Sequence, residues 1–504
     1  MGENFILICL SPLNSSRLRV FAVAGMPALP AEARRILGLK DGGPPASLGT
    51  NVYMRDSINR RDFLKLACTA GVGLGLVPYG AATARAAAPA LRRIGANEKL
   101  TVAVVGTNSR GLAHIECLTG LPGIEITYIC DVDERAVASG IKAATKQQQT
   151  TPKGAKDVRK VLEDKSLDAV TIATPDHWHA PMAILALAAG KHVYVEKPCS
   201  HNPHEGELLI QAARKYGRVL QMGNQRRSFP NIQQAIREIH DGIIGRAYYG
   251  HAWYDNARAS IGHGKAAPVP GWLDYDLWQG PAPRRPYRDN VIHYNWHWFW
   301  HWGTGEALNN GTHEVDVCRW ALGVDWPIRV TSNGGRYQFD DDWETPDTQV
   351  IGWDYADRKS ISWEGRSCNK YPVEGLERGA LVYGTKGAVL LDSNNYTVFD
   401  EKKKVVKEIK EKAEADLTNT VSSTGIRLDQ LHFQNFVEAI RTGQQLNSPI
   451  EQGHISVTTL HLGNIAWRVG RELHCDPANG HILKDAQAMK LWRREYERGW
   501  APVV

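Results

Sequence analysis

From Lys99 to about Gly223, short continuous apolar runs alternate with longer stretches of helical period. Residues 100–105, 124–130, 169–173, 192–195 and 219–222 have the length and β-branched content of buried strands, while 157–163 and 205–216 repeat their apolar positions as helices do. Strand and helix in alternation predict an α/β unit with a doubly wound parallel sheet. Beyond Arg246 the runs shorten, Trp and Tyr increase, and Gly and Pro interrupt them, as in Gly280-Pro281-Ala282-Pro283. Alternating segments at 349–353, 360–363, 379–383 and 388–391 predict a second, mainly antiparallel sheet. The lysine-rich run 402–412 reads as a solvated turn and strand edge, followed by helices over 428–442 and 455–470. The expected division is a parallel-sheet domain over 99–224 and a C-terminal α/β domain over 225–504.

Composition narrows the class. A chain of 504 residues with 43% apolar and 23% charged residues is globular and holds two or three domains. Its formal charge of +6 is mostly N-terminal: residues 1–86 carry ten Lys/Arg against five Asp/Glu, leaving +1 for the remainder. Nucleic-acid binding therefore loses its electrostatic basis. Cys9 and Cys68 lie in the N-terminal segment, and Cys117, Cys130, Cys199, Cys318, Cys368 and Cys475 show no finger spacing, which reads as buried thiols.

Arg60 and Arg61 precede the apolar, glycine-rich stretch 66–77 and the small-x-small end Ala84-Arg85-Ala86. This is the twin-arginine export pattern, with cleavage expected after Ala86 and a periplasmic or otherwise exported product. Residues 1–53 read as an over-extended start ahead of Met54, or else as a long leading region; 54–98 are signal and linker.

Candidate chemistry gathers at strand ends. Gly106-Thr107-Asn108-Ser109-Arg110-Gly111 follows the first strand: Gly106 permits a tight turn, Gly111 permits close helix packing, and the helix N-terminus faces a pyrophosphate. Asn108 stands where the fingerprint has its middle glycine. Asp131, ending the next strand 25 residues after Gly106, is placed to accept from ribose hydroxyls and favours NAD over NADP, with Asp133 in reserve. The stretch Lys191 to Pro198 ends an apolar run with Glu196 and Lys197, which read either as a solvated pair or as a site at a strand mouth. His179 reads as a helix-start residue or a substrate contact, and Arg226 as a cleft residue or a surface pair. His293, His297 and His301 stand four apart among tryptophans; metal binding on a helix, aromatic packing and a sugar-binding wall are all open, and no metal site is expected.

The glycine turn, Cys130-Asp131-Val132-Asp133, Ala173-Thr174-Pro175 with His179, Glu196-Lys197-Pro198, and Asn309-Asn310-Gly311-Thr312-His313-Glu314-Val315-Asp316 resemble the Gfo/Idh/MocA oxidoreductases, most closely their exported members. The resemblance implies a Rossmann domain, a C-terminal α/β domain whose open sheet often makes an oligomer contact, and hence a homo-oligomer. It implies NAD(P)-linked oxidation or reduction of a sugar or cyclitol carbon, with Lys197 on the reacting hydroxyl and His313 as general base. Cofactor contacts are expected from Gly106, Asn108, Arg110, Gly111, Asp131, Thr174, Pro175, His179 and Glu196, and substrate contacts from Lys197, Arg226, Asn309, His313 and Asp316. The family usually has Asp where this chain has Asn309. An amide orients an imidazole but does not stabilise its cation by charge, so Asp316 would replace the missing charge or Lys197 would share the proton transfer. Two rival readings are a glycosidase or lyase working by transient oxidation with no net redox change, and a sugar-binding protein without turnover.

Overall fold

The computed structural model describes Gly95 and residues 98–411 and 423–504. Met54, Arg60, Arg61, the cut after Ala86, Cys9, Cys68 and the end of the lysine-rich run lie outside the described residues.

The runs with no polar face become central strands because both of their faces are covered. β1 (Leu100–Val105) sends Leu100, Val102 and Val104 into one core and Ala103 and Val105 into another. With β2 (Ile124–Cys130), β3 (Lys153–Ala155), β4 (Ala169–Ile172), β5 (His192–Val195) and β6 (Leu220–Met222) it forms a parallel sheet of order β3-β2-β1-β4-β5-β6. Its helices are α1 (Arg110–Thr119), α2 (Glu134–Thr145), α3 (Val158–Leu162), α4 (Asp176–Ala188) and α5 (Pro203–Tyr216). Strand order reverses between β1 and β4, so the loops leaving those strands part and open a crevice at their C-terminal ends.

α6 (Pro230–His240) leads into a second sheet of nine strands: β7 (Ala247–Asp255), β8 (Arg329–Gly335), β9 (Thr348–Tyr355), β10 (Lys359–Arg366), β11 (Arg378–Gly384), β12 (Gly387–Asp392), β13 (Asn395–Asp400), β14 (Val405–Ile409) and β15 (Leu473–His474). The order is β14-β13-β12-β11-β7-β10-β9-β8-β15, antiparallel except for β7 beside β10. The lysine-rich run supplies β14, the edge strand, where charge discourages pairing with a further chain.

Between β7 and the pair of helices within residues 305–322 a strap, residues 256–302, carries α7 (Tyr275–Gln279) and its own small core of Leu273, Trp278, Val291, Trp296, Phe299 and Trp302. It runs back to the parallel sheet: Glu134 N donates to Trp272 O at 3.1 Å, Asp274 N to Val132 O at 3.0 Å, and the His177 ring meets Trp278 O at 2.9 Å. α8 (Gly305–Asn309) and α9 (Gly311–Leu322) follow, and α9 packs on the inner sheet face of Ala252, Ile361, Trp363, Ala380 and Val382.

Two late segments return to the first sheet. α10 (Ser423–Thr442) inserts Phe433 and Phe436 into the core under Leu100, Val102 and Val104, with Phe433 stacked on Tyr194 at 4.2 Å. α11 (Ile450–Val469) lies buried between the layers. In the tail, Arg494 Nε and Tyr496 OH both donate to the buried Glu205 of α5 at 2.8 Å, and Trp500 meets Trp178 edge-on. The parallel-sheet layer is thus completed by residues far outside 99–224.

Candidate active site

A cleft of about 880 Å³ runs along the C-terminal ends of β1, β2, β4 and β5 and is closed by the strap, α8, α9 and the ends of β7 and β11. At one end lies the glycine turn. Gly106 has φ +83°, and a Cβ there would sit 2.6 Å from Ala173 O; a Cβ on Gly111 would sit 2.0 Å from Gly106 O. Neither position accepts a side chain. Asp131 lines the cleft, accepting from Thr107 N at 2.6 Å and Asp133 N at 3.0 Å, while burial holds its carboxyl above the usual range against the pull of those amides. Asp133 is otherwise engaged: it caps α2 through Arg135 N and takes the Arg135 guanidinium and the His293 ring, both at 2.8 Å.

Glu196 is a hub. Its carboxylate accepts from Arg110 Nε at 2.8 Å, His114 Nε2 at 3.0 Å and Gln225 Nε2 at 3.0 Å. Burial alone would raise it, yet Arg110 and His114 hold it well below the usual carboxylate range. Arg110 also donates to Asp429 of α10 at 2.7 Å, so Arg110 and Glu196 line the cleft while joined to each other. His179 bridges two loops, its ring nitrogens meeting Pro198 O at 2.6 Å and Thr174 O at 2.7 Å, which fixes the turn after β4 to the turn after β5.

Lys197 Nζ donates to Asn309 O at 2.5 Å and faces Asn309 Oδ1 at 3.4 Å. Burial lowers the Lys197 amine, against the opposing pull of Glu196 and Asp176. His313, on the first turn of α9, lines the same cleft; burial first, then Lys197, Arg378 and Arg226, hold its imidazole well below its ordinary value, so the ring is neutral and its cation disfavoured. Among the described residues no side chain hydrogen-bonds the His313 ring.

Lys197, Asn309 and His313 are therefore brought together, and Asp316 and Arg226 are not. Asp316 is buried against Arg227, at 2.7 and 2.8 Å, and Ser456, at 2.5 Å, off the cleft wall; the three-residue spacing from His313 turns it toward α11. Arg226 is buried against Glu314 at 3.0 Å. The three spaced histidines are not on a helix. His293 meets Asp133, His297 meets Tyr294 O and lines the cleft with Trp296, and His301 meets Pro283 O, because only Asn295–Trp298 makes a helical turn.

Sequence reasoning missed Tyr254, Arg258, Asn310 and Arg378 on the cleft wall and Glu306 behind it. Arg378 Nε and Nη2 both donate to Glu314 Oε1, and Arg258 Nε donates to Glu306 Oε2 at 2.6 Å. Glu306, three residues before Asn309, carried a helical-spacing signal; Tyr254 and Arg378 meet only through the β7–β11 register.

The family model for an oxidoreductase NAD-binding Rossmann fold matches residues 100–224, and the model for the C-terminal alpha/beta domain of that family matches residues 247–501. The chain belongs to the Gfo/Idh/MocA oxidoreductase family. A glycosyl hydrolase family 109 protein of Saccharopolyspora erythraea is 32% identical over 209 residues, 39% of this chain and 45% of that protein. Another, from Parabacteroides distasonis, is 26% identical over 296 residues, 56% of this chain and 62% of that protein. The chain thus spans about half the length of these curated relatives. Among solved structures, levoglucosan dehydrogenase in complex with NADH and levoglucosan matches with TM-score 0.58 at 17% identity, over 75% of this chain and 99% of that one. The WlbA dehydrogenase of Bordetella pertussis, in complex with NADH and UDP-GlcNAcA, matches with TM-score 0.56 at 19% identity, over the same shares. At these identities the likeness is one of fold.

As a Gfo/Idh/MocA protein the chain carries an NAD-binding Rossmann domain, and its own residues fit that group. Gly106, the start of α1 beside Asn108 and Ser109, the Asp131 carboxylate and Thr174 Oγ1, which has no partner among the described residues, all border one cleft, while Gly111, expected to touch the cofactor, instead packs against the Gly106 carbonyl off the cleft wall. Gly106, Asn108, Asp131, Thr174 and Pro175 would hold the dinucleotide.

Proposed function

We propose that this protein is an NAD-dependent enzyme that oxidises a hydroxyl-bearing ring carbon of a carbohydrate. The meeting of a buried lysine and a neutral histidine in one cleft carries the reading. Bound NAD supplies the acceptor for the hydride of that carbon. Lys197 donates a hydrogen bond to the substrate hydroxyl and stabilises the oxygen as negative charge develops. His313 takes the hydroxyl proton, and Asn309 keeps Lys197 in place. Trp296 and His297 offer ring faces to the sugar's C–H surface.

A second reading is compatible with the strap, which is tied to Val132, Glu134 and His177 and contributes Arg258, Trp278, His293 and Trp296 to the cleft wall. If those wall residues slow exchange of NAD, the hydride taken from a substrate would be available for return to it. Transient oxidation to a ketone acidifies the neighbouring C–H; elimination of the glycosidic group, addition of water and reduction of the ketone then give hydrolysis with no net redox change. The relatives named as glycosyl hydrolase family 109 proteins are compatible with that cycle. Export through the twin-arginine route, in which proteins leave already folded, would suit a chain that keeps its cofactor.

Both readings are tested on purified protein given glycosides and free sugars without added NAD, following product and NADH absorbance together. Many turnovers with little NADH support the closed cycle, and one NADH per product with a need for added NAD supports the dehydrogenase. Lys197→Ala should lower turnover about a hundredfold to a thousandfold, the order expected for loss of a transition-state donor; full activity in that variant would remove both readings.

A further inference from the structure

An asparagine beside a lysine can present either end of its amide, and the two ends act oppositely. The carbonyl oxygen accepts from an ammonium, whereas the NH2 end turned toward it repels the charge. At Asn309 the choice is made by Glu306. A carboxylate only accepts, so the end of the amide that meets Glu306 Oε1, at 3.2 Å, is Nδ2, and Oδ1 is left facing Lys197 Nζ at 3.4 Å. Glu306 is 3% exposed and lies behind the cleft wall, where it also takes Asn310 Nδ2 at 2.5 Å and Arg258 Nε at 2.6 Å. Its charge balances Arg258, which would otherwise stand as an uncompensated cation on the same wall as Lys197.

We propose that Glu306 is the positioning residue that sets the Asn309 amide and, through it, the charge held by Lys197. The proposal rests on Lys197 being the reactive amine, yet it concerns a property of Lys197 that is measurable with no substrate present. Glu306 touches no substrate; it acts by orienting an amide and by neutralising Arg258. With Gln at 306 the amide loses its fixed orientation and Arg258 loses its counter-charge. Both changes disfavour the Lys197 ammonium, so more of the lysine is present as free amine at a given pH. A carboxylate placed at 309 in that background works in the other direction, because it faces the ammonium directly.

The test is pH-resolved labelling with acetic anhydride, read by mass spectrometry of the peptide containing Lys197, on the full-length protein with its fold checked by thermal unfolding. Glu306→Gln is expected to label Lys197 about tenfold faster at a pH below its titration midpoint, as follows when that midpoint falls by about one pH unit. Adding Asn309→Asp to Glu306→Gln should bring the rate below that of the wild type. A folded Glu306→Gln protein that labels Lys197 as the wild type does would overturn the proposal. Should Glu306→Gln not fold alone, the double variant, with the same number of carboxylates as the wild type, decides: slower labelling supports the proposal, equal or faster labelling refutes it. Because no turnover is measured, loss of the enzymatic reading of Lys197 would show separately in the activity assay.

Discussion

A carboxylate that already accepts from two backbone amides still has a lone pair on each oxygen, directed by those amides. Asp131 is in this state, with Thr107 N on one oxygen and Asp133 N on the other. Ribose hydroxyls can donate to the remaining positions, while a 2′-phosphate would bring negative charge against them. NAD should therefore bind at least about tenfold tighter than NADP, and Asp131→Ala should weaken NAD by about tenfold, ~1.4 kcal/mol; tryptophan-fluorescence titration with each dinucleotide measures both. Equal wild-type affinities would contradict this role. In the sequence Asp131 is the expected ribose-binding acid and Asp133, two residues on, the reserve. What separates them is His293, 160 positions away, which with Arg135 occupies Asp133. Asp316 failed as a cleft residue for a similar reason: spacing located it on the helix of His313, but only the neighbouring Arg227 and Ser456 show which side of that helix it occupies.

Among the elements, the strap has the least regular structure and supplies part of the cleft wall. Trp272 is gripped on its ring by the Arg135 guanidinium at 3.4 Å and lies 5.5 Å from the His293 ring. Trp272→Ala should open this latch and speed cofactor release about tenfold, as measured by the NAD remaining after gel filtration over timed intervals; unchanged retention would show that the strap does not govern release. Asp133→Ala is a useful contrast, since it removes the same latch and also the cap of α2, at about 1 kcal/mol of stability. The buried strands were legible because their apolar runs are short and unbroken. The strap was not, because its core residues follow no single period, and β3 was missed because Lys-Gly-Ala has no pattern to read. The helical spacing of His293, His297 and His301 pointed to one face; the actual backbone turns once and scatters them.

At the scale of the molecule, many imidazoles are buried without a charge partner. Burial holds His192, His432, His454 and His461 down to about 4, whereas each would take a proton at about 6.5 in the unfolded chain. The unfolded state therefore binds more protons as pH falls, and each group subtracts stability at up to about 1.4 kcal/mol per pH unit between pH 6.5 and 4. The midpoint of thermal unfolding should be steady above pH 7 and fall steeply from pH 6.5 to 5; a flat profile there would contradict the assignment of these rings as neutral. The return of α10 and the tail to the first sheet has a consequence for synthesis. Arg110 and Asp429 are separated by 319 positions, and Phe433 and Phe436 close a core whose first strand is β1. As the chain leaves the ribosome, that sheet emerges early with α1 and α2 in place on one face but the part of its cover that α10 supplies still missing. The rest of that face is buried only when more than three hundred further residues have been added. The cleft, whose walls are drawn from residues between Val105 and Asp392, can form only after most of both sheets has been translated.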